Sequence, residues 1–148
     1  MFSPAPFIDS WTLQQEAAQF LANGQHLYTQ HYTQIYPPER YGYTSHFGYL
    51  PLVAVWNAPF FALFGEVRFG YVVADALSAA LLAALVRGVK PDARRTLLGL
   101  ALSAAFLANP MRALVVENCW SEPLRYLCAA LSVWSAIGDH RMTFAAQG

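Results

Sequence analysis

Hydrophobic and polar positions separate sharply along this chain. From His46 to Arg95 there are two apolar segments, broken by LFGEVR at 63–68 and closed by the basic cluster Arg87, Lys90, Arg94 and Arg95. Phe69 to Val86 is interrupted only by Asp75 and is bounded by Arg68 and Arg87, which predicts a transmembrane helix over 69–86. A further apolar run starts at Thr96, reaches Asn109-Pro110, and continues past the proline as a kinked helix to Val116, giving 96–116. Pro123 opens a third run, Leu124 to Ile137, in the first-turn position that helices tolerate best, with Gly138 and then Asp139, His140 and Arg141 closing it. Residues 67–138 therefore read as three transmembrane helices, about 69–86, 96–116 and 124–137, and residues 139–148 as a tail.

Residues 48–66 are apolar too, but Pro51, Asn57 and Pro59 cut them into pieces shorter than the about 20 residues that a crossing helix needs. Ahead of them, residues 1–47 form a polar loop. A helix is expected over about 12–23, because Thr12-x-x-Gln15 has capping-box form and Leu13, Ala17, Phe20 and Leu21 recur on one face. Asn23-Gly24 supplies its stop. The stretch that follows is rich in tyrosine and includes Tyr28, Tyr32, Tyr36, Tyr41 and Tyr43, amphipathic rings suited to a membrane–water boundary. His26 and His31 are five residues apart, the wrong spacing for two ligands on one helical face, so no metal site is assigned.

Composition agrees with a membrane setting. Apolar residues make up 56% of the 148 and charged residues 12%, against about 45–50% and about 25% in soluble domains. The mean hydropathy of +0.30 is modest because the polar first third dilutes it. Nine basic residues balance nine acidic ones, so no basic face is available for nucleic acid. Cys119 and Cys128 form no CxxC pair and read as buried inert thiols. No basic residue precedes Arg40, so the start is not a signal peptide. The abrupt ends suggest the N-terminal part of a longer protein. The fold class expected is all-α: multi-pass transmembrane helices with a helical, extracytoplasmic juxtamembrane loop.

Positive charge marks cytoplasmic loops. The four basic residues between 87 and 95 place that loop inside, ENCWSEP at 117–123 outside, and the 139–148 tail inside. If 49–64 crosses, residues 1–47 are cytoplasmic. If it lies along or re-enters the outer surface, they are extracytoplasmic. The two prolines, the short pieces and the absence of Lys or Arg before position 40 favour the second arrangement.

Asp9, Asp75, Glu117 and Glu122 are the acidic groups near or within the membrane. Asp75, two turns into its helix, reads first as a structural partner for Tyr71 or for an arginine on another helix. Glu117 and Glu122 flank Trp120 in the outer loop, where they suit a cation, a sugar hydroxyl or plain solvation. Asp9 falls in an irregular turn just before the interfacial helix, a place for a general base beside the headgroups. From the residues alone it is a single exposed aspartate.

Four phrases, taken in order, resemble the first luminal or periplasmic loop of the polytopic GT-C glycosyltransferases, which use polyprenyl-phosphate sugars as donors. They are Asp9 ahead of a helix, FLANGQHLYT at 20–29, YGYTSHFGYLPL at 41–52, and LFGEVRFGYVVADAL at 63–77. The resemblance covers roughly residues 7–138. It implies that the 48–66 segment does not cross, that Asp9 matches the loop aspartate serving as catalytic base or acceptor-positioning group, and that Arg68 matches the arginine opening the next helix. Glu122, with Pro123, stands where many members have an aspartate opening a helix.

The function implied is part of an integral membrane glycosyltransferase of a cell or inner membrane. Its donor would be a lipid-linked sugar and its acceptor a hydroxyl, with Asp9 as base and Tyr28, Tyr43, Arg68 and Glu122 in substrate binding. No cofactor beyond the donor is called for, and a divalent metal is left open. The 148 residues alone are expected to be inactive. The rival reading is a non-catalytic membrane scaffold or assembly subunit; a transporter piece with Asp75 on its pathway is the third.

Overall fold

The computed structural model describes residues 3–4, 6–37, 39, 46–88 and 92–145, with side chains to residue 137. Among these residues there are helices and no strand. The helices are α1 (Asp9–Ala22), α2 (Pro51–Phe64), α3 (Arg68–Arg87), α4 (Ala93–Ala108), α5 (Pro110–Glu117) and α6 (Glu122–Ala145), with a short 3₁₀ turn at Leu27–Thr29. The chain divides into two compact units. One holds residues up to Val72 together with Ala113–Ser121, and the other holds Val73–Arg112 and the residues from Glu122 onward.

In the first unit α1 packs against α2. Leu13 and Ala17 of α1 meet Leu27, Tyr32, Phe47 and Ala54 in one apolar cluster, with Phe20 and Leu21 at its edge, so the expected apolar face is the buried one. The helix stops at Asn23, followed by Gly24 at a positive φ. Its start differs from expectation. The helix begins at Asp9 with Ile8 as an uncapped N-cap, and the Thr12 hydroxyl donates to the Ile8 carbonyl at 3.3 Å. No capping box forms because the Gln15 amide is used elsewhere: it donates to Gly65 O at 2.5 Å and accepts from Val67 N at 3.2 Å.

Pro51 opens α2 at a first-turn position, and Gly65, in the left-handed region at φ 69°, ends it. Fourteen residues at about 1.5 Å each give about 21 Å, short of an about 30 Å hydrocarbon core. Leu52, Val55, Leu63 and Phe64 are exposed along it, while Val53, Ala54 and Asn57 are buried. The first turn of α3 comes close to α2 at Gly70. A Cβ there would stand 2.9 Å from Phe60 Cδ2 and 3.1 Å from Asn57 Oδ1, and Trp56 Nε1 donates to Gly70 O at 2.9 Å.

In the second unit the helices meet through small residues. Gly99 and Ser103 are the buried positions of α4, while Leu97, Leu98, Leu100, Leu102 and Leu107 are exposed. A Cβ at Gly99 would lie 2.9 Å from the Ala83 carbonyl oxygen, and the Ser103 hydroxyl donates to Ala79 O at 2.7 Å. Small residues at i and i+4 on both helices thus let the backbones approach, with large apolar side chains turned outward; where solvent is lipid, small-residue packing and interhelical hydrogen bonds replace hydrophobic burial. Asp92 caps α4 by accepting from Arg95 N at 2.7 Å.

The helix breaks at Asn109-Pro110, and α4 and α5 are bent by 51°. Arg112, just past the break, forms a two-point ion pair with Asp75 of α3, so the expected arginine partner on another helix is present. The guanidinium also sits 4.1 Å from the Phe106 ring centroid and 4.7 Å from that of Tyr126.

The third expected crossing, 124–137, is part of the longer α6, which runs through Gly138 to Ala145. A mid-helix glycine costs only about 1 kcal/mol and stops nothing unless the backbone turns left-handed there. Among the described residues α3 is the one helix long and apolar enough to cross a membrane, and the bent α4–α5 pair makes a second if it is one span. Cys128 is exposed, contrary to its expected burial, whereas Cys119 is buried.

Candidate functional site

The short connection between α2 and α3 places charge where two apolar helices meet. Gly65 reverses the chain, and Glu66 and Arg68 follow within three residues. Glu66 Oε2 lies 2.7 Å from Arg68 Nη2, and its Oε1 accepts from Arg68 N at 3.1 Å and from Trp11 Nε1 at 3.2 Å. Glu117, at the end of α5, approaches Arg68 Nη1 at 3.3 Å. The N-terminal segment is tied to the same group: Arg68 Nη2 donates to Ser3 O at 2.8 Å, and Ser3 N donates to Glu117 Oε1 at 2.9 Å. Trp11 covers the guanidinium, 5.6 Å from the ring centroid.

Arg68 is 1% exposed, so its charge is tolerable only because these carboxylates surround it. Burial opposes ionisation of Glu66, but the hydrogen bonds from Arg68 and Trp11 and the nearby positive charge prevail and hold it below the usual carboxylate value.

A neutral polar layer lies in the same unit. Gln14 Nε2 donates to Cys119 O at 2.6 Å, while Asn57 Nδ2 donates to Gln14 Oε1 at 3.0 Å and to the Tyr71 hydroxyl at 3.3 Å. Tyr71 in turn donates to Gln14 Oε1. Gln14, Asn57, Tyr71 and Cys119 are all at 0% exposure, so each polar group removed from water here needs such a partner. Burial, with the Glu66 charge nearby, pushes the Cys119 thiol well up, keeping it protonated and unreactive.

Asp9 is the first residue of α1 rather than part of a preceding irregular turn. It is half-buried, and its Oδ1 accepts from Ser10 N at 2.7 Å. The next side chain, Ser10, donates its hydroxyl to Asn118 O at 2.5 Å, which fixes this end of α1 beside the residue following Glu117. Tyr28 lies on the 3₁₀ turn, 41% exposed, with its hydroxyl donating to Tyr49 O at 2.9 Å and its ring tilted against Phe47. Tyr43 lies outside the described residues.

Asp9, Tyr28 and Arg68 thus belong to the first unit, and Glu122 to the second, where it opens α6 with Oε1 3.6 Å from Arg125 Nη1. Sequence reasoning passed over Glu66, Trp11, Ser3 and Gln14. The available signal for Glu66 was an acid two residues from a base inside an otherwise apolar stretch. Chemically, Asp9 offers a partly accessible carboxylate able to take a proton, while Arg68 is already neutralised by two acids.

No protein-family model matches the chain, and neither does any curated protein or solved structure.

Proposed function

We propose that this chain is part of a multi-pass integral membrane glycosyltransferase that transfers a sugar from a polyprenyl-phosphate donor to an acceptor hydroxyl. The observation that supports it is the placement of Asp9. The carboxylate opens a helix packed on α2, which is too short to cross, and the start of that helix is tied through Trp11 to Glu66 at the entry of α3, which is long enough to cross. A base in that position works at the level of the headgroups, where a lipid-linked donor presents its sugar. In this reading α3, the bent α4–α5 pair and the apolar part of α6 cross the membrane, and residues 1–47 are extracytoplasmic.

The step is an inverting displacement. Asp9 takes the acceptor's proton, the freed oxygen attacks the anomeric carbon, and the bond to the polyprenyl phosphate breaks with its electron pair on the phosphate. Tyr28 and Tyr43 serve as aromatic surfaces for sugar or lipid, and Glu122 as a hydroxyl-binding acid. Arg68 fastens the N-terminal segment rather than the donor, because its charge is already matched; other cations must neutralise the leaving phosphate.

That same saturation of Arg68 favours a second reading, a non-catalytic scaffold in which the cluster fastens the N-terminal segment in place. Asp9→Asn in native membranes, in the longest protein carrying this sequence, separates the two. Loss of sugar transfer at unchanged expression supports the enzyme. Retained transfer overturns Asp9 as base, and lost complex assembly at unchanged expression supports the scaffold. Topology is checked with single cysteines, Gln25→Cys, Arg94→Cys and Trp120→Cys, in a protein lacking Cys119 and Cys128. Trp120 serves as the probe of its loop because it is exposed, whereas the neighbouring Ser121 is buried. Labelling of 25 and 120 from outside and 94 from inside is the expected result; 25 sharing the side of 94 removes the enzyme reading.

A further inference from the structure

Two histidines that are 15 residues apart in sequence lie with their rings close together. The ring centroids of His31 and His46 are 5.5 Å apart with their planes at 54°, and both residues are exposed. Their immediate neighbours are fixed. Tyr32 and Phe47 are each 4% exposed and stack with centroids 5.8 Å apart and planes at 25°. The Tyr32 hydroxyl donates to Leu27 O at 2.9 Å, and its ring meets Phe20 of α1 edge-on. The buried Tyr32–Phe47 stack beside them limits how far the two histidines can separate, with little left to order when something binds between them.

We propose that His31 and His46 form a two-imidazole site for a borderline divalent transition metal such as Zn²⁺, Cu²⁺ or Ni²⁺. Metal–nitrogen bonds of about 2.1 Å, plus about 1.1 Å from nitrogen to ring centre, put a metal about 3.2 Å from each centroid. Centroids 5.5 Å apart then subtend about 120° at the metal, close to the angles of tetrahedral and trigonal sites. One nitrogen of each ring suffices, and the other is left for the hydrogen bond that ordinarily orients a metal-bound imidazole.

Glu16 adds negative charge to the same segment, its Oε2 accepting from Thr33 N at 2.9 Å. The proposal takes two ligands from this pair and leaves the remaining positions to water or an outside ligand. Imidazole ligands select against Mg²⁺ and Ca²⁺, which want oxygen. The proposal does not depend on the glycosyltransferase reading.

The test is calorimetric titration of tag-free, detergent-solubilised full chain with Zn²⁺, Cu²⁺ and Mg²⁺, alongside His31→Gln, His46→Gln and His26→Gln. The expected result is one saturable site for Zn²⁺, tighter for Cu²⁺ and undetectable for Mg²⁺. Affinity should fall at least tenfold in each of the His31 and His46 variants and stay unchanged in the His26 variant. Near-ultraviolet dichroism of the Tyr32–Phe47 pair reports that the variants keep their packing. Equal affinity in all four proteins, or no saturable Zn²⁺ site, overturns the proposal.

Discussion

Replacing Asp75 by leucine strands the Arg112 guanidinium, which cannot shed its charge, between Phe106 and Tyr126 with no carboxylate. The side chains of the pair are 7% and 11% exposed, so solvent offers little rescue. Removing one member of a buried ion pair costs about 3–5 kcal/mol, and a lone charge at mid-membrane costs about 2.5–3.5 kcal/mol on insertion scales. The two estimates agree, with the aromatic faces pulling Asp75→Leu toward the lower end. Arg112→Met leaves the Asp75 carboxylate without its ion-pair partner.

Each single variant should therefore lose about 3 kcal/mol or more, and the double variant, which removes both charges, should lose no more than about 2 kcal/mol. The coupling energy is then at least about 4 kcal/mol. Reversible SDS unfolding in mixed micelles, followed by the fluorescence of the four tryptophans, measures all three. A coupling below about 1 kcal/mol would refute the account, because the pair would then be wet enough for each charge to stand alone.

Gly99→Val forces a side chain into the backbone of Ala83 and should destabilise the same unfolding transition by about 1–3 kcal/mol; Ala101→Val, on the exposed side of α4, should stay within about 0.5 kcal/mol of the parent. Maleimide should leave Cys119 unmodified in the folded protein and modify it after denaturation, since it is buried with its thiol pushed up; modification before denaturation would show that Cys119 is reachable. Glu66 titrates lower in the folded state than in the unfolded chain, so its contribution is present in full above the ordinary value of 4.5 and is lost as pH falls through the lower folded value. Melting temperature followed from pH 7 to about 3 should fall less steeply in Glu66→Gln; identical slopes would remove Glu66 from the account.

The sequence announced α3 to within a residue at each end because Arg68 and Arg87 bracket an apolar run whose length matches a bilayer. The α4–α5 break was legible for the same kind of local reason, since Pro110 removes a donor where the helix needs one. The start of α1 was not legible. Gln15 has the capping pattern, yet its amide serves Gly65 and Val67, some fifty residues away, and no local rule sees that. Arg68 and Glu117 were each visible as charges in apolar surroundings, but their pairing needs the fold. Asp75 shows the boundary well: its need for an arginine could be read from its position, whereas the identity of Arg112, 37 residues on, could not.

The pins on the N-terminal segment also fix an order of events. Ser3, Ser10 and Gln14 take their partners at Glu117, Asn118 and Cys119, separations of 114, 108 and 105 residues. At about 5–20 residues per second of synthesis, α1 must wait roughly 5–20 s for those partners to leave the ribosome. α1 is thus among the last helices fastened in its unit. While it waits, its Leu13–Ala17 face needs cover from α2, which is complete some fifty residues earlier.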